Sequence, residues 1–311
     1  MKIKTMIKEQ LLFENIIVSK PFLKWAGGKG QLLKDITSLL PNMETITTYI
    51  EPFVGSGALL FWILSNCPNL EKVIINDINK DLINTYKAIK YNVNDLINEL
   101  DNLDSLYKSN SDEEYRKSLY YTIRDEYNSR DFNDETISIR MAALFIFLNR
   151  TCFNGLYRVN SKNLFNVPCG KYANPKICDK ENLLNTNILL QNVEMLCGDY
   201  SETIDNVNET TFIYFDPPYK PISKTSSFNS YSSENFDDAQ QIRLKDFCDI
   251  ITEKKAKFML SNSDPNFANN ENTFFDDLYE KYNIIRVEAK RNINANGNGR
   301  GKINEILVTN Y

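Results

Sequence analysis

The chain has 311 residues, 42% of them hydrophobic and 25% charged, a composition ordinary for a globular protein of one large or two moderate domains. It holds no apolar run of about 18 residues that would span a membrane, and its start lacks the apolar stretch and small-residue cleavage site of a signal peptide. Histidine is absent, the six cysteines form no CxxC and the net charge is −5, so zinc sites and histidine catalysis lose their support and nothing in the total charge announces a nucleic-acid binder.

Residues 1–19 read as a loosely attached leader. Residues 30–40 then read as a helix stopped before Pro41. From about residue 47 to 90, strand, helix, strand and helix alternate, which is an α/β pattern. The first of these strands runs into Glu51-Pro52-Phe53-Val54-Gly55-Ser56-Gly57, with an apolar helix from Ala58 to Leu64 behind it. Glycines at such a turn let the backbone approach a ligand. A second apolar run, Val73-Ile74-Ile75-Asn76, ends in Asp77, about 20 residues beyond, where nucleotide-binding folds place an acid on ribose hydroxyls. The full G-x-G-x-x-G is missing, so S-adenosylmethionine fits at least as well as a dinucleotide.

Residues 91–150 are helical only: Leu96, Leu100, Leu103 and Leu106, then Met141, Leu144, Phe145 and Leu148, recur at helical spacing and read as bundle core. Residues 151–175, rich in Asn, Gly and aromatics, read as a hairpin with exposed loops. After one more helix, strands are predicted at about 193–197, 211–215, 257–261, 282–288 and 303–309. A block at 91–190 is thus inserted into one sheet built from 20–90 and 191–311. The scattered cysteines suit a reducing cytoplasm. Basic residues are segregated. Arg150, Arg158, Lys162, Lys171 and Lys176 crowd 147–178 without an acid, and Lys20, Lys24, Lys29 and Lys34 do the same in 20–34. Arg286, Lys290, Arg291, Arg300 and Lys302 face only Glu288 in 286–302. If these segments converge they form a positive face on an acidic protein; if not, they are solvated surface charges. The Asn-rich stretch 292–298 reads as a turn.

The most informative motif is Asp216-Pro217-Pro218-Tyr219, placed after the apolar run Thr211–Phe215. The prolines end the strand and stiffen the turn. A carboxylate, a proline carbonyl and an aromatic ring then share one sheet edge. That set suits a planar amino group: two acceptors for its N–H donors and a face to stack on.

Taken in order, Phe22–Lys29, Glu51–Gly57, Asn76–Asn79, Asn154–Arg158, Phe165–Pro168 and Asp216–Tyr219 resemble the motifs of Dam-type DNA adenine-N6 methyltransferases, most closely their DpnII-system branch. The resemblance continues through Arg300-Gly301-Lys302 to the last strand. It implies a Rossmann-like S-adenosylmethionine-dependent methyltransferase sheet of seven mainly parallel strands with an inserted helical and β-hairpin DNA-recognition domain. It implies an adenine-specific, site-specific DNA-methyltransferase that acts on a base flipped out of double-stranded DNA, within GATC, with no metal and no membrane. A cognate restriction endonuclease system without direct binding is compatible with it, as is a cytoplasmic location.

The same resemblance assigns catalysis to Asp216, Pro217 and Tyr219. Donor binding falls to Trp25, Lys29, Glu51, Phe53, Gly55, Gly57, Asp77, Asp199, Tyr200 and Asp216. For Asp199 a helix N-cap is the plain alternative. DNA contact is implied for Lys24, Phe153, Asn154, Leu156, Arg158, Pro168 and Tyr172: Phe153 as a wedge, Asn154 at the orphan thymine, Leu156 and Pro168 at a thymine methyl, Arg158 bidentate on guanine, and Lys24 and Tyr172 at the first base pair. Cys169 departs from the family, whose members usually carry an aromatic there. Competing readings are a cytosine-C5 enzyme using Pro168-Cys169, an RNA or protein-amide methylase, which usually carries Asn in place of Asp216, the same chemistry on another short site, and an inactive DNA-binding scaffold.

Overall fold

The computed structural model describes residues 17–25, 27–131, 136–220, 236–268, 272–290 and 302–311. The sheet contains β1 (Thr48–Glu51), β2 (Lys72–Asn76), β3 (Val193–Leu196), β4 (Thr211–Phe215), β5 (Lys257–Ser263), β6 (Asn283–Lys290) and β7 (Lys302–Thr309), in the order β3-β2-β1-β4-β5-β7-β6. The first five strands pair in parallel, and β7 lies antiparallel between β5 and β6. The sheet is therefore Rossmann-like, seven-stranded and mainly parallel, as the resemblance implies.

Burial explains the layers. On β1, β2 and β4, Tyr49, Val73, Ile75, Phe212 and Tyr214 enter one apolar cluster, while Ile50, Ile74, Ile213 and Phe215 enter another. Alternate residues face opposite ways along a strand, so both faces of the sheet must be covered. Each such side chain, fully buried, contributes about 1.5–3 kcal/mol of transfer free energy. The second cluster is closed by α7 (Asp238–Glu253), through Leu244, Phe247, Cys248 and Ile251. The first continues without a break into the helical block: α3 (Lys80–Lys108), α4 (Glu113–Asn128), α5 (Ile139–Thr151) and α6 (Lys180–Leu190). The remaining helices that bear on the site are α1 (Leu33–Ser38) and α2 (Ala58–Asn66).

Several boundaries differ from expectation for visible reasons. The helix expected at 30–40 is a 3-10 turn, Lys29–Gln31, followed by α1. Helix α3 runs past the expected block boundary and kinks at Asn92 (φ −137°). There the carbonyls of Ile89 and Lys90 are taken by Asn187, and that of Lys90 also by Gln191, so side chains from α6 replace part of the helix ladder. The hairpin at 151–175 contains no regular strand; it is held by two isolated antiparallel bridges, Cys152 with Cys169 and Val159 with Phe165. Of the expected leader, residues 1–16 lie outside the described residues. Ile17 and Ser19 are tied down, with Ser65 Oγ donating to the Ile17 carbonyl at 3.0 Å and Ser19 and Thr186 hydroxyls 2.6 Å apart.

Candidate active site and nucleic-acid interface

Strands β2 and β3 extend the sheet to one side of β1 and β4 to the other, so the sheet reverses direction between β1 and β4. In such sheets the crevice for ligands opens beyond the carboxyl ends of those two strands. The loop at the end of β1 carries Glu51 to Gly57 and the loop after β4 carries Asp216 to Tyr219.

Asn76, at the end of β2, ties its own loop to those after β1 and β3. Its amide donates to the carbonyls of Pro52 and Gly198, both at 3.0 Å, and its oxygen accepts from Gly198 N–H at 3.1 Å. Asp77 then accepts from the Gly55 N–H at 3.1 Å and from the Asn79 N–H at 3.0 Å. Gly55 and Gly57 have φ of 48° and 72°. A Cβ on Gly57 would lie 2.6 Å from the Tyr86 hydroxyl, which itself donates to the Gly55 carbonyl. Trp25 packs over Gly55, where a Cβ would meet its ring at 3.1 Å, and stacks on Tyr157 with centroids 5.5 Å apart. Phe53 packs against Tyr200, Phe215 and Phe236.

Three carboxylates crowd this edge. Glu51 accepts from the Tyr49 hydroxyl at 2.8 Å, and burial, opposed by that bond and reinforced by Asp216 and Asp77, pushes its pKa to about 8. Burial likewise raises Asp77 to about 6 against three backbone hydrogen bonds. Asp216 is also raised to about 6 by burial, with the Lys29 ammonium holding it back. Lys29, expected among the donor-binding residues together with Asp216, pairs with the Asp216 carboxylate. Its Nζ is 2.8 Å from Asp216 Oδ1, 2.6 Å from the Gly27 carbonyl and 4.4 Å above the centre of the Tyr219 ring. A nitrogen bearing N–H donors thus already sits between the carboxylate and the ring face.

The loop after β4 is braced from behind. Gln241 of α7 donates to the Pro218 carbonyl at 3.1 Å and accepts from Asn262, whose own oxygen accepts from Lys220 N–H. The Tyr219 hydroxyl donates to Glu305 of β7 at 2.5 Å. Sequence reading assigned no role to Glu305, Gln241 or Asn76. Their bonds join segments remote in sequence and leave no periodic or spacing signal. Asp199 is the N-cap of the turn Tyr200–Asn206, in a capping box with Glu202. Its carboxylate also takes a bidentate pair from Arg243, at 2.7 and 2.8 Å, which holds its pKa near 2. Tyr200 is buried, its ring flanked by Phe53 and Phe247.

The residues expected on DNA lie on the loops after α5, with Lys24 brought beside them from ahead of α1. Phe153, half-exposed at 51%, opens a 3-10 turn in which Asn154 has φ 56°, a conformation Asn tolerates. The Phe153 N–H donates to the Pro168 carbonyl at 2.9 Å. Arg158 is braced by Asn166, its Nε donating to Oδ1 at 2.7 Å. Lys24 lies 4.4 Å above the Tyr172 ring, and its backbone is clasped at N–H and carbonyl by Asn149, which also donates to the Gly155 carbonyl. Two basic segments, 20–34 and 147–178, therefore meet. The third does not contribute through Arg286, which pairs with Asp264 and Asp276. Arg291, Arg300 and the stretch 292–298 lie outside the described residues. Leu156 and Tyr172 are half-buried and Pro168 exposed beside this surface. Among the described residues no cluster of His, Cys, Asp and Glu could hold a metal ion, and no helix is long and apolar enough to cross a membrane.

Comparison with known proteins agrees with this geometry. The family described as D12 class N6 adenine-specific DNA methyltransferase matches residues 25–293. The Type II methyltransferase M.MjaIII of Methanocaldococcus jannaschii is 49% identical, over 94% of this chain and 99% of its own length. The Type II methyltransferase M1.LlaDCHI of Lactococcus lactis is 41% identical over 97% and 99%. The DNA adenine methylase of Escherichia coli K12 is 32% identical over 93% and 95%.

Proposed function

The chain belongs to the D12 class of N6 adenine-specific DNA methyltransferases, and from that membership we propose that it methylates the adenine of GATC in double-stranded DNA, with the base flipped out of the helix and S-adenosylmethionine as donor. The observation that carries the reading is the arrangement at the end of β4. The carboxylate of Asp216 and the ring of Tyr219 hold the Lys29 nitrogen between them, at 2.8 and 4.4 Å. An exocyclic amino group needs those same two partners, an acceptor in its plane and a face on which its ring stacks.

Adenine N6 is a poor nucleophile because its lone pair is delocalised into the ring. Asp216 and the Pro217 carbonyl would each accept one N6–H bond and so favour a nitrogen whose lone pair is available. Tyr219 would carry the base, its ring fixed through the hydroxyl bond to Glu305. Such groups work by position and electrostatics, fixed in advance of the reaction. A duplex conceals N6, which is why flipping is required.

The crevice fits the donor. Gly55 and Gly57 let Trp25 and Tyr86 close tightly on the turn, where a Cβ would come within 3.1 and 2.6 Å of them, and Glu51 and Asp77 are buried acids whose ionised forms a cation would favour. S-adenosylmethionine, when bound, supplies an electrophilic methyl group on a sulfonium. The residues that would hold it are Trp25, Glu51, Phe53, Gly55, Gly57 and Asp77, with Asp199 and Tyr200 at its adenine. GATC is supported by the resemblance of the loop from Phe153 to Pro168 to those of GATC enzymes.

The test is transfer of tritiated methyl to short duplexes carrying one GATC or a single substituted pair. Incorporation at the GATC adenine alone is expected. Equal incorporation into substituted duplexes would remove the site assignment, and none into any duplex would remove the activity.

A further inference from the structure

We propose that Cys152 and Cys169 are a site of reversible oxidation, forming a cross-strand disulfide at the foot of the DNA-recognition loop by exchange with a small-molecule disulfide. The two residues face each other across an isolated antiparallel bridge. The backbone bonds that make the bridge, from Phe153 N–H to the Pro168 carbonyl and from Gly170 N–H to the Thr151 carbonyl, both 2.9 Å, run between their neighbours. The cysteines are therefore a non-hydrogen-bonded pair, the class in which facing Cα atoms are closest, about 4.5 Å apart. That separation falls inside the range of about 4.4–6.8 Å that disulfides span. Facing residues of such a pair also project to one side of the ladder.

Both thiols are free. Cys152 donates to the Leu156 carbonyl at 3.1 Å and Cys169 contacts the Gly170 carbonyl at 3.4 Å, so each must turn off its present acceptor to reach the other. None of Cys67, Cys178, Cys197 and Cys248 takes part in a cross-strand cysteine pair in the described sheet.

Cys169 is half-exposed and Cys152 buried, which fixes the order of events. The Cys169 thiolate attacks the small disulfide and releases one thiolate. Cys152, having lost its proton, then attacks the Cys169 sulfur and releases the second. The protein loses two hydrogens and the small disulfide becomes two thiols. Burial raises both protein thiols above the usual range, so exchange is slow near neutrality and speeds up in alkali.

Phe153 and Asn154 follow Cys152 directly, and oxidation strips the Leu156 carbonyl of the thiol that now donates to it. The consequence for DNA, which rests on the function proposed above, is a misplaced recognition turn. The donor crevice at the sheet edge is left alone.

The experiment treats the full chain with oxidised glutathione at pH about 8.5, near the free thiol pKa, and maps peptides by mass. A peptide pair joined through Cys152 and Cys169, two hydrogens lighter and released by dithiothreitol, is expected. It should vanish in Cys169→Ser, a half-exposed position, as well as in Cys152→Ser. DNA methylation should fall on oxidation, by up to roughly 100-fold, the scale of a small misplacement of positioning groups, and return on reduction, with donor affinity unchanged by calorimetry. The peptide map does not depend on the proposed reaction, so failure of that reading would show separately. Absence of the joined peptide, its persistence in Cys169→Ser, or an unchanged rate in the oxidised protein overturns the proposal.

Discussion

Asp216 has two opposed neighbours, the low-dielectric surroundings that favour its neutral form and the Lys29 ammonium that favours its charged one. Only the ionised carboxylate is a full acceptor for an amino N–H. We predict that Asp216→Ala loses roughly 100-fold or more in methyl transfer, as when other fixed polar partners of a reacting group are removed, while duplex binding in a gel-shift assay largely survives. A loss within about tenfold, only ~1.4 kcal/mol, would show that the group is not at the reacting nitrogen. Lys29→Met should instead move the acidic limb of the pH–rate profile. With the ammonium gone, Asp216 protonates at higher pH, so the rate should start to fall earlier as pH is lowered. A limb that stays in place in single-turnover measurements would mean that Lys29 does not tune Asp216. At this scale much of the site was legible. Glu51, Asp77 and Asp216 could be named because each ends an apolar run, and Tyr219 because two prolines tie it to the last of them. The partner of Lys29 could not, since an ion pair between residues so far apart in the chain leaves no local trace. Arg158 is also a matter of single residues. Arg158→Ala should relax the preference for the outer guanine by roughly 1–3 kcal/mol, the worth of a bidentate base contact. An unchanged ratio of rates on cognate and substituted duplexes would place Arg158 on phosphate instead.

Helix α2 begins at a glycine that has no alternative. Gly57 is its N-cap, with φ 72°, and the Tyr86 hydroxyl stands where a Cβ would be. Gly57→Ala should therefore destabilise the protein by at least ~1–2 kcal/mol from the left-handed backbone alone, with more from the overlap, and weaken donor binding together with the turn. Equal thermal midpoints and equal donor affinity in wild type and variant would count against this account. The sequence announced this turn through its glycines and the apolar run behind it, and strand positions followed from apolar runs in the same way. The segment 151–175 was less legible. Its chain is held by side chains reaching backbone, such as Asn149 to Lys24 and Gly155, and Asn128 to Phe165. Bonds of that kind have no period, so an irregular loop with two bridges read as a regular hairpin.

Across the whole molecule, the parallel order β3-β2-β1-β4-β5 carries Asp77, Glu51 and Asp216 to one end of the sheet, where Lys29 is the one cation paired with any of them among the described residues. Burial holds Glu51 near pKa 8 and Asp77 and Asp216 near 6, all above the unfolded values of about 4. Between those limits the folded state binds more protons than the unfolded state. By linkage, these three groups then remove stability as pH rises from about 4 through 6 and, for Glu51, to about 8. Asp199, held near 2 by Arg243, is already ionised across this window and does not mask the effect. A bound sulfonium favours the ionised carboxylates, so donor affinity should change in the opposite sense and strengthen over the same interval. We predict that the rise in thermal midpoint caused by saturating S-adenosylmethionine is larger at pH about 7 than at about 5, a direct expression of that proton linkage. Glu51→Gln removes the group with the highest pKa, and in it the difference between the two pH values should shrink. If the donor raises the midpoint equally at both, the acidic cluster does not sense the donor's charge, and the crevice beyond β1 and β2 has been assigned to the wrong end of the ligand.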